Sequence, residues 1–252
     1  MSRCFEEKDK GRIVFDMSVC ICGVRIDRVT KEEAVERALA RGDEPSFVVT
    51  PNAIMLDACR RDPTLTSLLN RSALSLADGA GVLWAARRQG TPLDCRVAGI
   101  EFGEALLERA AEEGLRVFLL GGGEGVATAA ANRLCERMPS LRICGTYWGY
   151  FERGGEDERR LLSIIRSTRP DILLVCLGFP LQERWIVEHL DFFRDLRVIA
   201  GLGGSLDVWS GNLRRAPRIV SRCGMEWAWR MLRQPSRLRG LPAIVRCAFF
   251  RG

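Results

Sequence analysis

The chain has one histidine, His189, in 252 residues. A Ser-His-Asp hydrolase needs a placed imidazole, so that chemistry is not expected; His189 ends the helical stretch QERWIVEHL and reads as a surface or edge residue. The ten cysteines contain no C-x-x-C pair, and with a single histidine they make a poor zinc site. Those in apolar strand-like runs, such as Cys20, Cys22, Cys144 and Cys176, read as reduced core residues of a cytosolic protein. No apolar run approaches the roughly 18–20 residues that span a bilayer. The segment MSRCFEEKDKGR lacks an apolar region, so no secretory signal is expected. A Walker lysine motif is missing, which argues against NTP hydrolysis. Acid–base work is left to carboxylates.

What is present is a strand–helix alternation. At 47% hydrophobic the chain can bury one sizeable core or two small ones. The run from Val19 to Ile26 reads as a strand or hairpin turning at Gly23, and Thr30 with Glu33 forms a capping box before TKEEAVERALAR. FVV (47–49), LSL (74–76), RVFLL (116–120), LRICG (141–145), DILLVCL (171–177) and LRVIAGL (196–202) read as strands, with helical patterns between them. Residues 151–160 read as a polar insertion. The alternation predicts an α/β fold, a Rossmann-like and mainly parallel sheet flanked by helices. DILLVCL has the continuous apolar character of a strand buried on both faces.

Ligands of such sheets sit beyond the carboxyl ends of the strands. Thr50, Asn52 and Asp78 fall there and are expected around one crevice. Asp78, between apolar Ala77 and Gly79, is a candidate general base; N-capping of the helix that follows is the equal alternative. Glycines 121–123, 178 and 203–204 stand at three strand ends, where backbone can approach a phosphate. LLGGGEG matches G-x-G-x-x-G poorly, yet the three junctions together point to a nucleotide-type ligand. Gln182 offers a donor and an acceptor to a sugar hydroxyl or amide. Glu183 reads as a first-turn acid favoured by the helix dipole. Asp207 reads either as a ribose acceptor or as a helix cap.

Charge is uneven. Residues 212–252 hold ten arginines against Glu226 alone, net +9 within a chain total of +6, so the rest carries −3. Two units are expected, an α/β core over 1–211 and a basic helical appendage over 212–252. Arginine pairs bidentately with phosphate, and here it is mixed with Trp227, Trp229, Met231, Phe249 and Phe250. That mixture suits an anionic membrane surface. The size and number of the apolar residues favour membrane over nucleic acid.

Taken in order, TPN (50–52), ADG (77–79), FLLGG (118–122), LGFPLQE (177–183), GGSLDVWSGNLRRAP (203–217) and GMEWAWRMLRQPSR (224–237) resemble the TagA/WecG/CpsF-type glycosyltransferases of bacterial envelope synthesis. The likeness runs from about Val19 to Arg239. It implies an inverting transferase needing no metal or other cofactor. Its sugar, N-acetylmannosamine or a related hexose or uronic acid, would pass from a UDP donor to a polyprenyl-diphosphate-linked saccharide, in envelope polysaccharide or teichoic-acid-type synthesis. The absence of a D-x-D carboxylate pair agrees with metal independence.

By the resemblance Asp78 matches the base, and Thr50, Asn52 and Gln182 match the sugar pocket. Tyr150 and Asp207 would lie near the uridine, and Arg230, Arg237 and Arg239 near the lipid diphosphate. Leu181 stands where the family often has lysine, and Arg237 and Arg239 are two apart where the family tends to three. The implied location is cytoplasmic, peripheral on the inner face of the cell membrane, with homo-oligomers possible and no nucleic acid partner. A Rossmann-type oxidoreductase and a non-catalytic membrane binder are the alternatives.

Overall fold

The structure is a computed structural model that describes residues 18–213 together with Arg246. It opens on a hairpin, β1 (Ser18–Ile21) and β2 (Val24–Asp27), paired antiparallel. Its two turn residues, Cys22 and Gly23, both have positive φ, 52° and 81°, as the right-handed twist of a two-residue hairpin asks. The capping box then starts α1 (Lys31–Leu39): Thr30 Oγ1 accepts from Glu33 N at 3.2 Å, and Glu33 Oε2 accepts from Thr30 N at 2.8 Å.

β3 (Ser46–Val49) leads into α2 (Ala53–Arg61) and α3 (Pro63–Asn70), and β4 (Leu74–Ser75) into α4 (Ala80–Arg88) and α5 (Gly99–Glu113). β5 (Arg116–Gly121), α6 (Val126–Arg137), β6 (Arg142–Tyr147), α7 (Glu156–Thr168), β7 (Ile172–Cys176) and α8 (Leu181–Glu188) continue the alternation. A 3-10 turn (Leu190–Phe193), β8 (Val198–Gly201) and α9 (Ser205–Trp209) close it.

Six strands form one sheet in the order β4-β3-β8-β7-β5-β6, every pair parallel. The α/β expectation holds. Successive side chains of a strand face opposite sides, and both sides are covered here. Phe47, Val49, Leu173 and Val175 enter one core; Val48, Ile172, Leu174 and Cys176 enter the other. That double burial is why the strands read as unbroken apolar runs.

Two local expectations need correction. The polar insertion is shorter than expected, because Glu156, Asp157 and Glu158 form the first turn of α7, where acids complement the helix dipole. Glu158 turns inward and accepts from Trp185 Nε1 at 2.6 Å. The cysteines divide: Cys59 and Cys176 are buried, but Cys20 and Cys95 are exposed. Cys20 lies between buried Val19 and Ile21 on β1, so the strand alternation turns it outward. His189 is an edge residue, its ring centroid 4.9 Å from that of Trp185.

β3 and β8 are neighbours, yet the helices that follow them pack on opposite sides. Met55, Leu56 and Cys59 of α2 belong to the first core, and Leu206 and Trp209 of α9 to the second. Two chain segments that part at the carboxyl edge of a parallel sheet leave a crevice between them.

Candidate active site

The ladder between β3 and β4 continues beyond the strands. Leu76 N donates to Val49 O at 2.9 Å, and Asp78 N donates to Pro51 O at 3.0 Å. This backbone bond sets Asp78 beside the Thr50-Pro51-Asn52 turn, so residues 26 or more positions apart in sequence meet at one strand edge. Gly79 follows with φ +87°, a conformation that side-chain-bearing residues rarely adopt. Gly79 itself holds the N-cap position of α4, so Asp78 stands one residue outside the cap. Asp78 is therefore not the N-cap residue itself, and as a half-buried acid it lines the crevice.

The crevice is a cavity of about 250 Å³ lined by Thr50, Asn52, Asp78 and Gln182, with Met55, Phe179, Ala98–Ile100 and Gly203–Ser205 completing the wall. Four of the expected site residues are thus brought together. Each has part of its bonding capacity committed to the scaffold. Thr50 Oγ1 donates to Gly201 O at 3.2 Å, which leaves its lone pairs for a ligand. Asn52 Oδ1 caps α2, accepting from Ile54 N at 3.0 Å and Met55 N at 3.2 Å; its amide NH₂ is the remaining donor. Gln182 Oε1 accepts from Gly203 N at 3.1 Å, and its Nε2 donates to Glu183 Oε1 at 2.7 Å.

Glu183 is the clearest departure from expectation. It is not a solvated first-turn acid; its relative exposure is 0%. Burial pushes its carboxyl up to about 7, against the opposing pull of the Gln182 hydrogen bond. A signal was present: Glu183 and Ile186 are one helical turn apart, so the face that buries Ile186 carries Glu183 inward too.

The N-terminus of α5 went unforeseen. Ala98, Gly99 and Ile100 line the cavity, and Ala98 at the cap position offers no side-chain acceptor to the first amides. Helix N-termini of α2, α5, α8 and α9 therefore meet one cavity, a setting that favours an anionic group such as a diphosphate. The sign in the sequence was small residues ahead of an amphipathic run, a weak one.

Other expected residues lie elsewhere. Tyr150 is 76% exposed and does not line this cavity. Asp207 is the third residue of α9, whose N-cap is Gly204, so it stands in the first turn rather than at the cap position. A second cavity, of about 340 Å³, lies at the glycine cluster after β5 and is lined by Gly123–Gly125, Thr128 and Tyr147–Trp148 among others. Arg230, Arg237 and Arg239 lie outside the described residues. Among the described residues no group of three or more His, Cys, Asp or Glu side chains could hold a metal ion, and no helix is long and apolar enough to cross a membrane.

Comparison with known proteins gives a consistent answer. The profile of the glycosyl transferase WecG/TagA/CpsF family matches residues 19–251. An N-acetylglucosaminyldiphosphoundecaprenol N-acetyl-beta-D-mannosaminyltransferase of Bacillus spizizenii (strain ATCC 23059 / NRRL B-14472 / W23) is 34% identical over 199 residues, 79% of this chain and 76% of the relative. The protein of the same description in Staphylococcus aureus (strain MRSA252) is 33% identical over 234 residues, 90% of each chain. That of strain MW2 is 34% identical over the same span.

Proposed function

Since the chain belongs to the WecG/TagA/CpsF family of glycosyl transferases, we propose that Asp78 is the general base of its sugar transfer. The acceptor is a saccharide linked through diphosphate to a polyprenyl lipid. The relatives' descriptions name N-acetyl-β-D-mannosamine as the group moved and N-acetylglucosaminyl-diphosphoundecaprenol as its acceptor. We extend both to this chain, with UDP as the carrier of the donor sugar.

One observation carries the reading. Asp78 is tied by its own backbone to Pro51, and Thr50, Asn52 and Gln182 share its cavity. A β-linked product from an α-linked nucleotide sugar requires inversion, in which one base and one attack suffice. Asp78 takes the proton of the acceptor hydroxyl as that oxygen bonds to the anomeric carbon. The bond from that carbon to the UDP oxygen breaks, and the electron pair leaves with UDP. Thr50 lone pairs, the Asn52 NH₂ and the Gln182 amide hold the sugar, while the amides of the α5 N-terminus offset the charge growing on the diphosphate. At about 250 Å³ the cavity is below the roughly 300–1,000 Å³ that encloses a drug-sized ligand. It suits the reacting sugar, with the nucleotide extending past the strand ends.

The Arg-rich segment over 212–252, with its tryptophans and phenylalanines, supports contact with the lipid diphosphate and an anionic membrane face. That composition supports peripheral attachment, which we assign to the inner leaflet of the cell membrane.

The test is a donor screen: protein, a short-chain N-acetylglucosaminyl-diphosphate lipid and a panel of UDP-sugars, with UDP release recorded beside Asp78→Asn. Release with UDP-N-acetylmannosamine, reduced roughly 10²–10⁴-fold in the variant, is expected. Near-normal turnover by a folded Asp78→Asn enzyme would remove Asp78 from the role. Release with another donor alone would overturn the assigned sugar.

A further inference from the structure

The catalytic scheme leaves one ionisable group without a task. Glu183 is wholly buried, its Oε1 is bonded to the Gln182 amide, and its Oε2 has no hydrogen-bond partner among the described residues. A carboxyl is costly to bury half satisfied. A bare structural role is filled more cheaply by an apolar residue, so the position of this carboxyl calls for a reason.

The reason lies in its neighbour. Gln182 is the cavity residue whose two amide ends are nearly alike in shape and opposite in bonding. The Gly203 N–H is a donor only and demands an acceptor, so Gln182 Oε1 must face it. Glu183 Oε1 then takes one of the Nε2 hydrogens, an acceptor whether the carboxyl is ionised or not. Gly201 adds the steric half of the clamp: a Cβ there would lie 2.8 Å from Gln182 Nε2, so the bare backbone is what admits the amide. The flipped amide would turn its NH₂ on the Gly203 N–H, and its oxygen would find a donor on Glu183 only where the carboxyl holds a proton.

We infer that Glu183 is a positioning residue that locks the Gln182 amide in one orientation, presenting its second N–H as a donor to an oxygen of the transferred sugar. This deepens the sugar-transfer reading of the same cavity and rests on it. Glu183 itself does not touch the sugar; its influence passes through Gln182.

The experiment compares Glu183→Gln and Glu183→Leu with the parent enzyme, using UDP-N-acetylmannosamine as donor and the short-chain acceptor above. Gln keeps an acceptor oxygen against Gln182 Nε2; Leu keeps the bulk and removes the acceptor. A sugar contact that persists from ground state to transition state acts on KM. Leu should therefore raise the donor KM about ten-fold or more, the loss of one directed hydrogen bond, with kcat less affected. Gln should stay within about three-fold of the parent by the same measure. Simple destabilisation would instead lower the active fraction, and so kcat, at unchanged KM.

A second readout does not need turnover. In ¹⁵N-labelled protein the Gln182 side-chain amide, assigned by its absence from Gln182→Leu, should show one exchange-protected, downfield proton in the parent and in Glu183→Gln. Glu183→Leu should lose it. If Leu proves unfolded, Glu183→Gln decides alone: keeping the protected proton and the parent KM supports the lock, losing either overturns it. A folded Leu variant with parental KM and an unchanged amide pair also overturns it. Should the parent enzyme itself turn over no donor, the sugar-transfer reading fails, while the amide signals still report on the lock.

Discussion

Asp57 and Arg246, 189 positions apart in the chain, form a two-pronged ion pair, Nε to Oδ1 at 3.0 Å and Nη2 to Oδ2 at 2.7 Å. The Asp57 side chain is 1% exposed, and Arg61 and Arg60 approach it at 2.9 Å and 3.7 Å. The Arg246 hydrogen bonds, joined by the charges of these arginines, hold the carboxyl below the usual range. Asp57 lies on α2, the helix that Asn52 caps at the cavity wall. An arginine from the basic C-terminal stretch is therefore tied to the same helix that Asn52 starts at the cavity wall.

Asp57→Asn keeps the shape and removes the charge. Losing one partner of a buried pair costs about 3–5 kcal/mol, but the arginines here can return to water, so about 2–3 kcal/mol is expected, read from the denaturation midpoint at pH 7. The contribution is fully present above the ordinary carboxylate range and is lost as pH falls through the depressed value of the folded state. The stability gap between parent and variant should accordingly close below pH ~4.

Glu183 titrates in the opposite sense. Its folded-state value of about 7 lies above the ordinary 4.5. Between those two values the folded protein holds a proton that the unfolded chain has released, so stability falls as pH rises across the window. Cys59, the thiol within electrostatic reach, is pushed up to about 11 and stays protonated throughout. Relative to the parent, Glu183→Gln should gain about 3 kcal/mol between pH 4 and pH 8, checked by thermal melts at both pH values.

Under the proposed function Asn52 has two separable tasks. Its Oδ1 caps α2, and its NH₂ is the donor left for the sugar in the cavity that Asn52 lines. Asn52→Asp retains a capping oxygen and loses the donor, so turnover should drop while stability holds. Asn52→Ala should lose turnover and also about 1 kcal/mol. Parallel melts and UDP-release assays distinguish the two.

Gly201→Ala tests the wall behind Gln182. The added methyl would stand 2.8 Å from Nε2 and would push the buried amide off the bonds to Gly203 N and Glu183. Donor KM should rise together with a stability loss of about 1–3 kcal/mol, measured by kinetics and melting of the same preparations.

The sequence by itself determined the class of fold and the sheet edge at which the candidate site residues gather. Alternating strands and helices with continuous apolar strands admit a doubly covered parallel sheet and little else, and Thr50, Asn52, Asp78 and Gln182 each follow a readable strand. Helix starts marked by local chemistry, such as Thr30 with Glu33, were legible because the cap bonds lie within three residues. Tertiary structure alone decided which loops close on one cavity. The strand order that seats β3 beside β8, the bond from Asp78 N to Pro51 O, and the entry of the α5 N-terminus join distant segments without any local signature. It also decided the burial of Glu183 and the pairing of Asp57 with Arg246. The spacing of Glu183 to Ile186 puts both on one helix face, but only packing decides how deeply that face is buried and whether an acid on it meets water or a partner across the fold.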